Sequence, residues 1–526
     1  MADTTIKGRY TALESTRSPY LERARECAKL SIPSLMPPNG HGSTSKLPTP
    51  FQGIGSKGVN NLSSKLLITL FPPNSPIFRH MIDDFALEKL AQKEGARAAV
   101  EEALARHERA VQTDIETSGD RVTIHEGMKQ LIVSGNVLLY LPPKKKGMRV
   151  FRLDRYVVRR DPMGEVLEII VKENVARVTL PKPIRKHCGV DADTKDANGV
   201  EKSLELYTYV RREPDGWSIR QELNGKVVPG SRGSYPLDKC PWIALRWSRI
   251  DGEDYGRSFI DEYLGELMSL EALMQAIVEG SAAAAKILFL VKPNGTTDET
   301  DVANAPNCAV RTGHKDDVTV VSLEKFNDFR VAKDTMTEIT QRLSAAFLMT
   351  SSVQRSAERV TAEEIRVMVG ELEDTLGGFY SIFAQELQLP YVKLRIHRME
   401  LAGKLPKLPQ DIVRPMIVTG LEALGRGHDL NKLQSFVEDI VKLAQAKPEL
   451  VARLDATDLI KRLGTARGID IKGLIMDEAA FQQQQQQQQM QGLLEKLGPN
   501  AVNKIGDMAT QQMASPSAPE QGQEAA

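Results

Sequence analysis

The hydrophobic period of this chain switches twice, and that switch restricts its fold more than any single motif. From Gly135 to about Arg249 apolar residues alternate with polar ones in GNVLLYLPP, FRLDRYVVRR, GEVLEIIVKE, LELYTYVRRE, WSIRQEL and CPWIALRW. A period of two predicts strands with one buried face. Asp161-Pro162-Met163-Gly164 and Glu213-Pro214-Asp215-Gly216 read as turns between them. In each, proline presets the first angle and glycine tolerates the tight exit. The Lys182–Lys202 stretch is polar and reads as a loop. Helical periodicity holds on both sides of this block, so the expected class is α+β, with strands segregated from helices.

Upstream, residues of about 10–115 are helical in pattern and interrupted by loops. Ser18-Pro19 opens the amphipathic stretch SPYLERARECAKLSIPSLMPP, and NNLSSKLLITLFPP gives a second helix that stops at Pro72-Pro73. A charged third helix is expected over about 85–117. Downstream of Tyr255-Gly256, Ile260, Leu264, Leu267, Leu270, Met274, Ile277 and Val278 form one apolar stripe that runs into SAAAAK at 281–286. Residues 287–325 read as short strands and loops. A helix resumes near Asp328, where Phe329, Ala332, Met336, Ile339, Leu343 and Ala346 step by three and four in a heptad-like seam. The pattern is a helix, a compact insert and a second helix. After the polar run MTSSVQRSAER at 349–359, Thr361-Ala362-Glu363-Glu364 is a capping box. It opens a helix carrying Ile365, Val369, Leu372, Leu376, Phe379, Phe383 and Leu387, expected to stop at Pro390 or a little beyond. Gly370, Gly377 and Gly378 inside it are candidate bend points. Residues of about 408–475 read as three short helices. The tail holds eight consecutive glutamines, Gln482 to Gln489, and is expected to be flexible.

Length and charge narrow the function. A chain of 526 residues has core for roughly two to four domains. It carries 69 basic and 69 acidic side chains. A protein that grips DNA by neutralising phosphates carries a basic excess, so this balance argues against a tight DNA binder. It is compatible with a conduit, where strong binding would stall the cargo. Cys27, Cys188, Cys240 and Cys308 form no Cys-x-x-Cys pair and read as free thiols. The N-terminus has no apolar core of the signal-peptide kind, so synthesis and folding in a cytoplasm are expected. No apolar run reaches the roughly eighteen residues of a membrane span.

No motif supports an enzyme. Gly53-Ile54-Gly55-Ser56-Lys57-Gly58 spells G-x-G-x-x-G, yet Leu47-Pro48-Thr49-Pro50 precedes it where a strand is needed. A glycine-rich approach of one helix to another is the better reading. No phosphate-loop sequence exists, and His125-Glu126 lacks the second histidine of a zinc-protease helix. His41, His187, His314 and His428 are scattered. Asp251-Glu253-Asp254 and Glu371-Glu373-Asp374 read as solvated or salt-bridged faces. The 349–360 loop stands apart, because Arg355 and Arg359 sit there with Ser351, Ser352 and Gln354 between two helices. It reads either as an ordinary surface connection or, repeated in a ring, as a set of weak phosphate contacts that read no sequence.

Long collinear stretches carry a family resemblance. They are SPYLERARECAKLSIPSLMPP, GSKGVNNLSSKLLITLFP, GNVLLYLP, RIDGEDYGRSFIDEYLGEL, SSVQRSAERVTAEEIR, ELEDTLGGFYSIFAQELQLP and GLEALGRGHDL, spread between about Ser18 and Asp470. In them the chain resembles the portal, or head-to-tail connector, proteins of short-tailed phages of the autographivirus type. Residues 181–203, the insert and the glutamine tail match least. The resemblance implies an α+β portal fold with a mixed α/β wing (1–259, β-rich over 135–250) and a two-helix stem (260–286 and 328–348). A small α/β clip (287–327) would tip the stem. A tunnel loop (349–360), a long wing helix (361–404), a helical crown (405–476) and a flexible tail (477–526) would follow.

The resemblance also implies a closed homo-oligomeric ring of about twelve subunits at the capsid portal vertex of the virion. Double-stranded DNA would pass through it during packaging and ejection. Terminase, scaffolding protein, major capsid protein and tail adaptor protein are the implied partners, with ATP hydrolysed by terminase. No cofactor, metal, membrane or catalytic residue is implied for the chain itself. Ser351, Ser352, Gln354, Arg355 and Arg359 would face DNA from the tunnel loop. Glu266, Glu271 and Glu279 are candidates to line the channel with an acidic, low-friction surface. A capsid scaffolding or internal virion protein is the alternative of a different class; strands and the helix–insert–helix pattern count against it.

Overall fold

The computed structural model describes residues 5–42, 45–72, 76–82, 96–143, 147–190, 203–284, 288–293, 295–306, 308–321, 326–349, 382–408 and 413–417, with isolated helical positions at Ser435, Val437, Glu438, Lys442 and Gln487. Two compact units divide the chain, Met1–Gly427 and His428–Ala526. The continuous helices and strands among the described residues all belong to the first unit. Of the sequence expectations, residues 350–360, the capping box with the first part of its helix to 381, the 418–434 stretch and most of 435–526 lie outside the described residues.

Helix α1, Ile6–Lys29, begins well ahead of the Ser18-Pro19 start expected from the pattern. Its first turn is held by a distant partner: the Glu222 carboxylate accepts from the backbone N–H of Ile6 at 2.7 Å and of Lys7 at 3.2 Å. Thr5 adds a side-chain cap on Gly8 N–H. Pro19 lies inside this helix, where it removes one internal hydrogen bond without breaking the run. Arg17 is only 2% exposed; its Nη1 donates to the Tyr10 hydroxyl and to the carbonyls of Leu153 and Tyr156. A buried arginine at this position obscures the apolar stripe that would have announced the helix.

Helix α2 spans Ile54–Leu70, strand β1 Phe78–Ile82, helix α3 Ala96–Thr117 and helix α4 Asp120–Ser134. Helix α4 has no counterpart among the sequence expectations: its buried face mixes Ile124, Met128 and Leu131 with Asp120, Gly127, Gln130 and Ser134, while the apolar Val122 faces outward, so polarity does not mark that face. Its ends are set by Gly119 and Gly135, with φ of 74° and 71°. A Cβ on Gly135 would also lie 2.5 Å from the Arg257 carbonyl carbon, so only glycine fits there.

The alternating stretches form strands. Strands β2 (Asn136–Tyr140), β3 (Arg149–Phe151), β4 (Tyr156–Arg160) and β5 (Val166–Val175) come first. Helix α5 (Lys182–Cys188) precedes β6 (Leu204–Glu213), β7 (Gly216–Leu223), β8 (Lys226–Val227), β9 (Gly233–Tyr235) and β10 (Trp242–Arg246). One antiparallel sheet runs β10-β2-β3; a larger one runs β4-β5-β6-β7-β8, with β9 on β7. Both expected turns form. Gly164 takes φ 86° and donates to the Asp161 carbonyl at 2.9 Å, and Glu213 pairs with Gly216 across a two-residue loop. Within the stretch expected to be loop, Lys182–Cys188 is instead helical, and 191–202 lies outside the described residues. Cys188 and Ile184 pack on Leu223 and Val228, and this burial stabilises a helix too short to form alone.

Helix α6 (Phe259–Glu262) leads into α7 (Leu264–Ala284). Strand β11 (Leu288–Val291), helix α8 (Glu299–Ala303) and strand β12 (Val318–Val321) follow, then helix α9 (Phe326–Ala346). β11 and β12 pair antiparallel, and α7 packs along α9. A π turn at Ala384–Gln388 precedes α10, Leu389–Leu401. The helix therefore does not stop at Pro390. Proline lacks the N–H that an α turn needs and crowds the carbonyl four residues back; widening to a π turn relieves both.

Residues Val413–Ile417, expected to be helical, form strand β13 and pair with β1 from Phe78↔Ile417 to Ile82↔Val413. His80 of that ribbon and His107 of α3 share a hydrogen bond of 2.9 Å between Nε2 and Nδ1. Burial, then the neighbouring His107, pushes the His80 imidazole down to about 4 from 6.5; burial lowers His107 as well. The unfolded chain binds protons at both rings below about 6.5, whereas the folded pair resists. Stability from the pair is thus complete above pH 6.5 and lost as pH falls toward 4. Melting temperatures across that window should fall less steeply for His80→Gln than for the parent. An equally steep fall would assign acid lability to other groups.

Candidate functional site

The helix–insert–helix segment leaves large apolar side chains exposed. Helix α7 carries Glu266, Glu271 and Glu279 and no lysine or arginine. Its mainly apolar sequence buries Leu267 and Leu270, while Met268 and Val278 remain 55% and 48% exposed. Such a helix wants apolar neighbours on more than one side. The insert at its far end is organised by Asp317, whose carboxylate accepts from Thr296 N–H at 3.0 Å and from the Thr297 hydroxyl at 3.2 Å. Gly295 comes so close to it that a Cβ would sit 2.7 Å from that carboxyl carbon.

The three glutamates do not share a face. At about 100° per residue, Glu266 lies roughly 140° from each of the other two. Glu266 pairs with Arg342 of α9 at 3.7 Å. Glu271 accepts from the backbone N–H of Phe51 at 2.8 Å and of Gln52 at 3.1 Å, so its carboxylate holds the chain entering α2. Glu279 is exposed and accepts from Gln275 one turn away. Of the other named candidates, Ser351, Ser352, Gln354, Arg355 and Arg359 lie outside the described residues.

What is described is the root of their loop. Helix α9 ends with Leu348 at φ 54°. Leu348 N–H donates to Ala345 O and Met349 N–H to Ser344 O, the paired bonds of a left-handed helix end. Phe347 is fully buried and lies against Phe259 and Tyr263, with ring centroids at 5.6 and 6.2 Å. Trp247 joins Phe259 at 5.5 Å and Phe383 at 5.9 Å, so one aromatic cluster ties the strand block to both ends of the 350–381 stretch.

The G-x-G-x-x-G letters resolve into a packing surface. A Cβ on Gly55 would lie 2.3 Å from the Leu30 carbonyl, and one on Gly58 2.4 Å from the Phe347 ring. These glycines let α2 reach its neighbours; the segment lies at a helix start with no strand before it. Two residues on α2 that sequence reasoning passed over act on the loop root. Asn61 Nδ2 donates to the carbonyls of Phe347 and Leu348 at 2.9 and 3.0 Å, and Lys65 Nζ donates to Leu348 O at 2.9 Å. The available signal was a lysine inside the apolar run of α2, where it is 6% exposed.

Asp254, read as part of a solvated or salt-bridged face, accepts from the backbone N–H of Arg160 at 2.6 Å, and Glu253 pairs with Arg257 at 3.0 Å. The neighbouring Tyr255 hydroxyl accepts from Val158 N–H at 2.9 Å, and Gly256 exchanges bonds with Asn136 at 2.7 and 2.8 Å. The Asp-Tyr-Gly run thus fastens the strand block to the helix pair. Among the described residues no cluster of three or more metal-ligating side chains occurs, and no helix is long and apolar enough to cross a membrane.

Comparison with known proteins places the chain in a family. The sequence profile of the family described as "Bacteriophage head to tail connecting protein" matches residues 3–475. The portal protein of Escherichia phage T7 is 41% identical over 524 residues, covering 98% of this chain and 96% of its own length. That of Enterobacteria phage T3 is 39% identical over 96% of this chain and 94% of its own. That of Enterobacteria phage SP6 is 34% identical over 83% of each. A solved chain titled "Neck of native GTA particle computed with C12 symmetry" aligns at 10% identity with a TM-score of 0.34, covering 72% of this chain and 85% of that one, a likeness too slight to bear on the fold. The long, nearly end-to-end similarity to portal proteins leaves one assignment: this chain belongs to the bacteriophage head to tail connecting protein family and functions as a portal.

Proposed function

We propose that copies of this chain close into a ring of about twelve subunits at the head-tail junction of the virion, around a channel that double-stranded DNA crosses in packaging and ejection. In this reading α7 and α9 are the stem, 287–327 the clip, 349–360 the tunnel loop, and 361–404 the long wing helix. Terminase, scaffolding protein, major capsid protein and tail adaptor protein dock on the ring. ATP chemistry belongs to the terminase, and the ring itself catalyses nothing and holds no cofactor.

The observation that carries the reading is α7. It is apolar on more sides than one chain covers, and flanking subunits of a ring would supply the missing neighbours. Balanced charge overall suits a conduit that must not retain its cargo. Glu279, exposed and bonded to Gln275 on its own helix, remains the acidic candidate to line a channel, whereas Glu266 and Glu271 hold other elements of the subunit.

Electron microscopy of the purified chain, averaged end-on, tests the ring. Rings with an opening wide enough for a duplex, roughly 20 Å, are expected; monomers or irregular filaments at every salt concentration would overturn the proposal. Arg355→Ala combined with Arg359→Ala should leave rings intact and impair packaging to full genome length. Full-length packaging by that variant would remove the tunnel-loop arginines from the mechanism.

A further inference from the structure

Both ends of the stretch 350–381 are fastened to the same helix. On one side, Asn61 and Lys65 of α2 donate to the carbonyls of Phe347 and Leu348. On the other, Gln388, fully buried in the π turn, donates through Nε2 to the carbonyl of Leu70, the last residue of α2, at 2.5 Å. The start of α2 is tied in turn to the first helix of the pair, through the Glu271 carboxylate on Phe51 and Gln52.

We propose that α2 is the positioning element of the tunnel loop, and that Asn61 and Lys65 are the residues through which it acts. This rests on the ring-and-channel reading above. The carbonyls at the end of a helix have no N–H partner within it. Here two of them are gripped by side chains four residues apart on one face of α2. The Lys65 ammonium is the group the negative end of a helix favours, and its burial keeps it from water. Leu348 adopts a left-handed conformation that a leucine holds only when its surroundings impose it. Gly58, one turn before Asn61, gives α2 the close approach that this grip needs. A loop that meets a sliding duplex transmits load to its root, so its reach into the channel depends on where Met349 is held.

The test uses rings of the full chain bearing Asn61→Asp with Lys65→Met. Asn61→Asp keeps the shape but turns two donors into an acceptor facing two carbonyls. Amide exchange is read at Phe347, Leu348 and Met349, whose N–H groups donate to Leu343, Ala345 and Ser344. Exchange there should quicken by about tenfold or more while α7 amides stay as in the parent. Subunit number should be unchanged and the packaged DNA shortened, and Lys65→Arg should keep both properties of the parent. Unchanged exchange overturns the grip. Faster exchange with full-length packaging overturns the positioning role and leaves the portal reading standing. Absence of rings from the unmutated chain would sink the ring reading instead. Should the double variant fail to assemble, Lys65→Met alone, which retains the Asn61 bonds, is read against the same outcomes.

Discussion

Replacement of Arg395 by methionine is expected to lower the unfolding free energy by about 3–5 kcal/mol, the usual consequence of stranding a buried partner charge. Arg395 is fully buried on α10 and Asp120, at the start of α4, is 1% exposed. The guanidinium contacts the Asp120 carboxylate directly, donates to Asp114 at 3.0 Å and to the Tyr391 hydroxyl at 3.2 Å, and that hydroxyl donates to Asp120 at 3.0 Å. Burial opposes the guanidinium charge, and Tyr391 and Asp120 outweigh it, so the Arg395 pKa is raised. Methionine keeps much of the volume but leaves Asp120 charged in an apolar setting. Asp120→Asn in the same chain should recover a part of the loss, since the stranded charge is then gone. Denaturant unfolding of the four members of the cycle measures both numbers. A single-variant loss under about 1 kcal/mol would mean the site is wet and the pair behaves as a surface bridge.

A second large effect is expected at Phe347, with an unusual sign at its neighbour. Phe347→Ala removes a fully buried ring from the aromatic cluster and should cost about 3–5 kcal/mol. Gly58→Ala in the parent should also destabilise, by about 1–3 kcal/mol, because the new Cβ lies 2.4 Å from the ring. In the Phe347→Ala background the obstacle is absent. The same Gly58→Ala should then stabilise by up to about 1 kcal/mol, the helix preference of alanine over glycine. A reversal of sign between the two backgrounds confirms that Gly58 is there to seat Phe347. The same sign in both would separate the glycine from the end of α9. Loss of the seat should also weaken the Asn61 and Lys65 contacts, which depend on the same approach of α2 to Phe347 and Leu348.

The channel candidates divide along the same line. Glu266, Glu271 and Glu279 were legible as acidic residues on one helix, yet spacing alone does not tell a lining residue from a brace. Glu271 braces, because the N–H groups it accepts come from Phe51 and Gln52, more than two hundred residues away in the chain. Asn61 and Lys65 went unread for the mirror reason. The bonds described for them go to backbone carbonyls, which every residue has, so a lysine inside an apolar run is the mark they leave in the sequence.

Local spacing determined the α+β class, the strands from Gly135 to Arg246, both proline–glycine turns and the helices either side of the insert. Period and turn chemistry depend on residues only a few positions apart, so they survive without knowledge of the fold. The long collinear motifs determined the family. Only the tertiary structure decided the rest. Helix α1 starts at Ile6 because Glu222 caps it, and α4 goes unmarked because neighbours bury its Asp120, Gln130 and Ser134 while Val122 faces outward. Val413–Ile417 is a strand because β1 offers it a ladder, and the helix passes Pro390 because a π turn absorbs the missing N–H. For α1, α4 and β13 the decisive term is a hydrogen-bond partner or a buried face supplied from far along the chain, and that is information a local pattern does not contain.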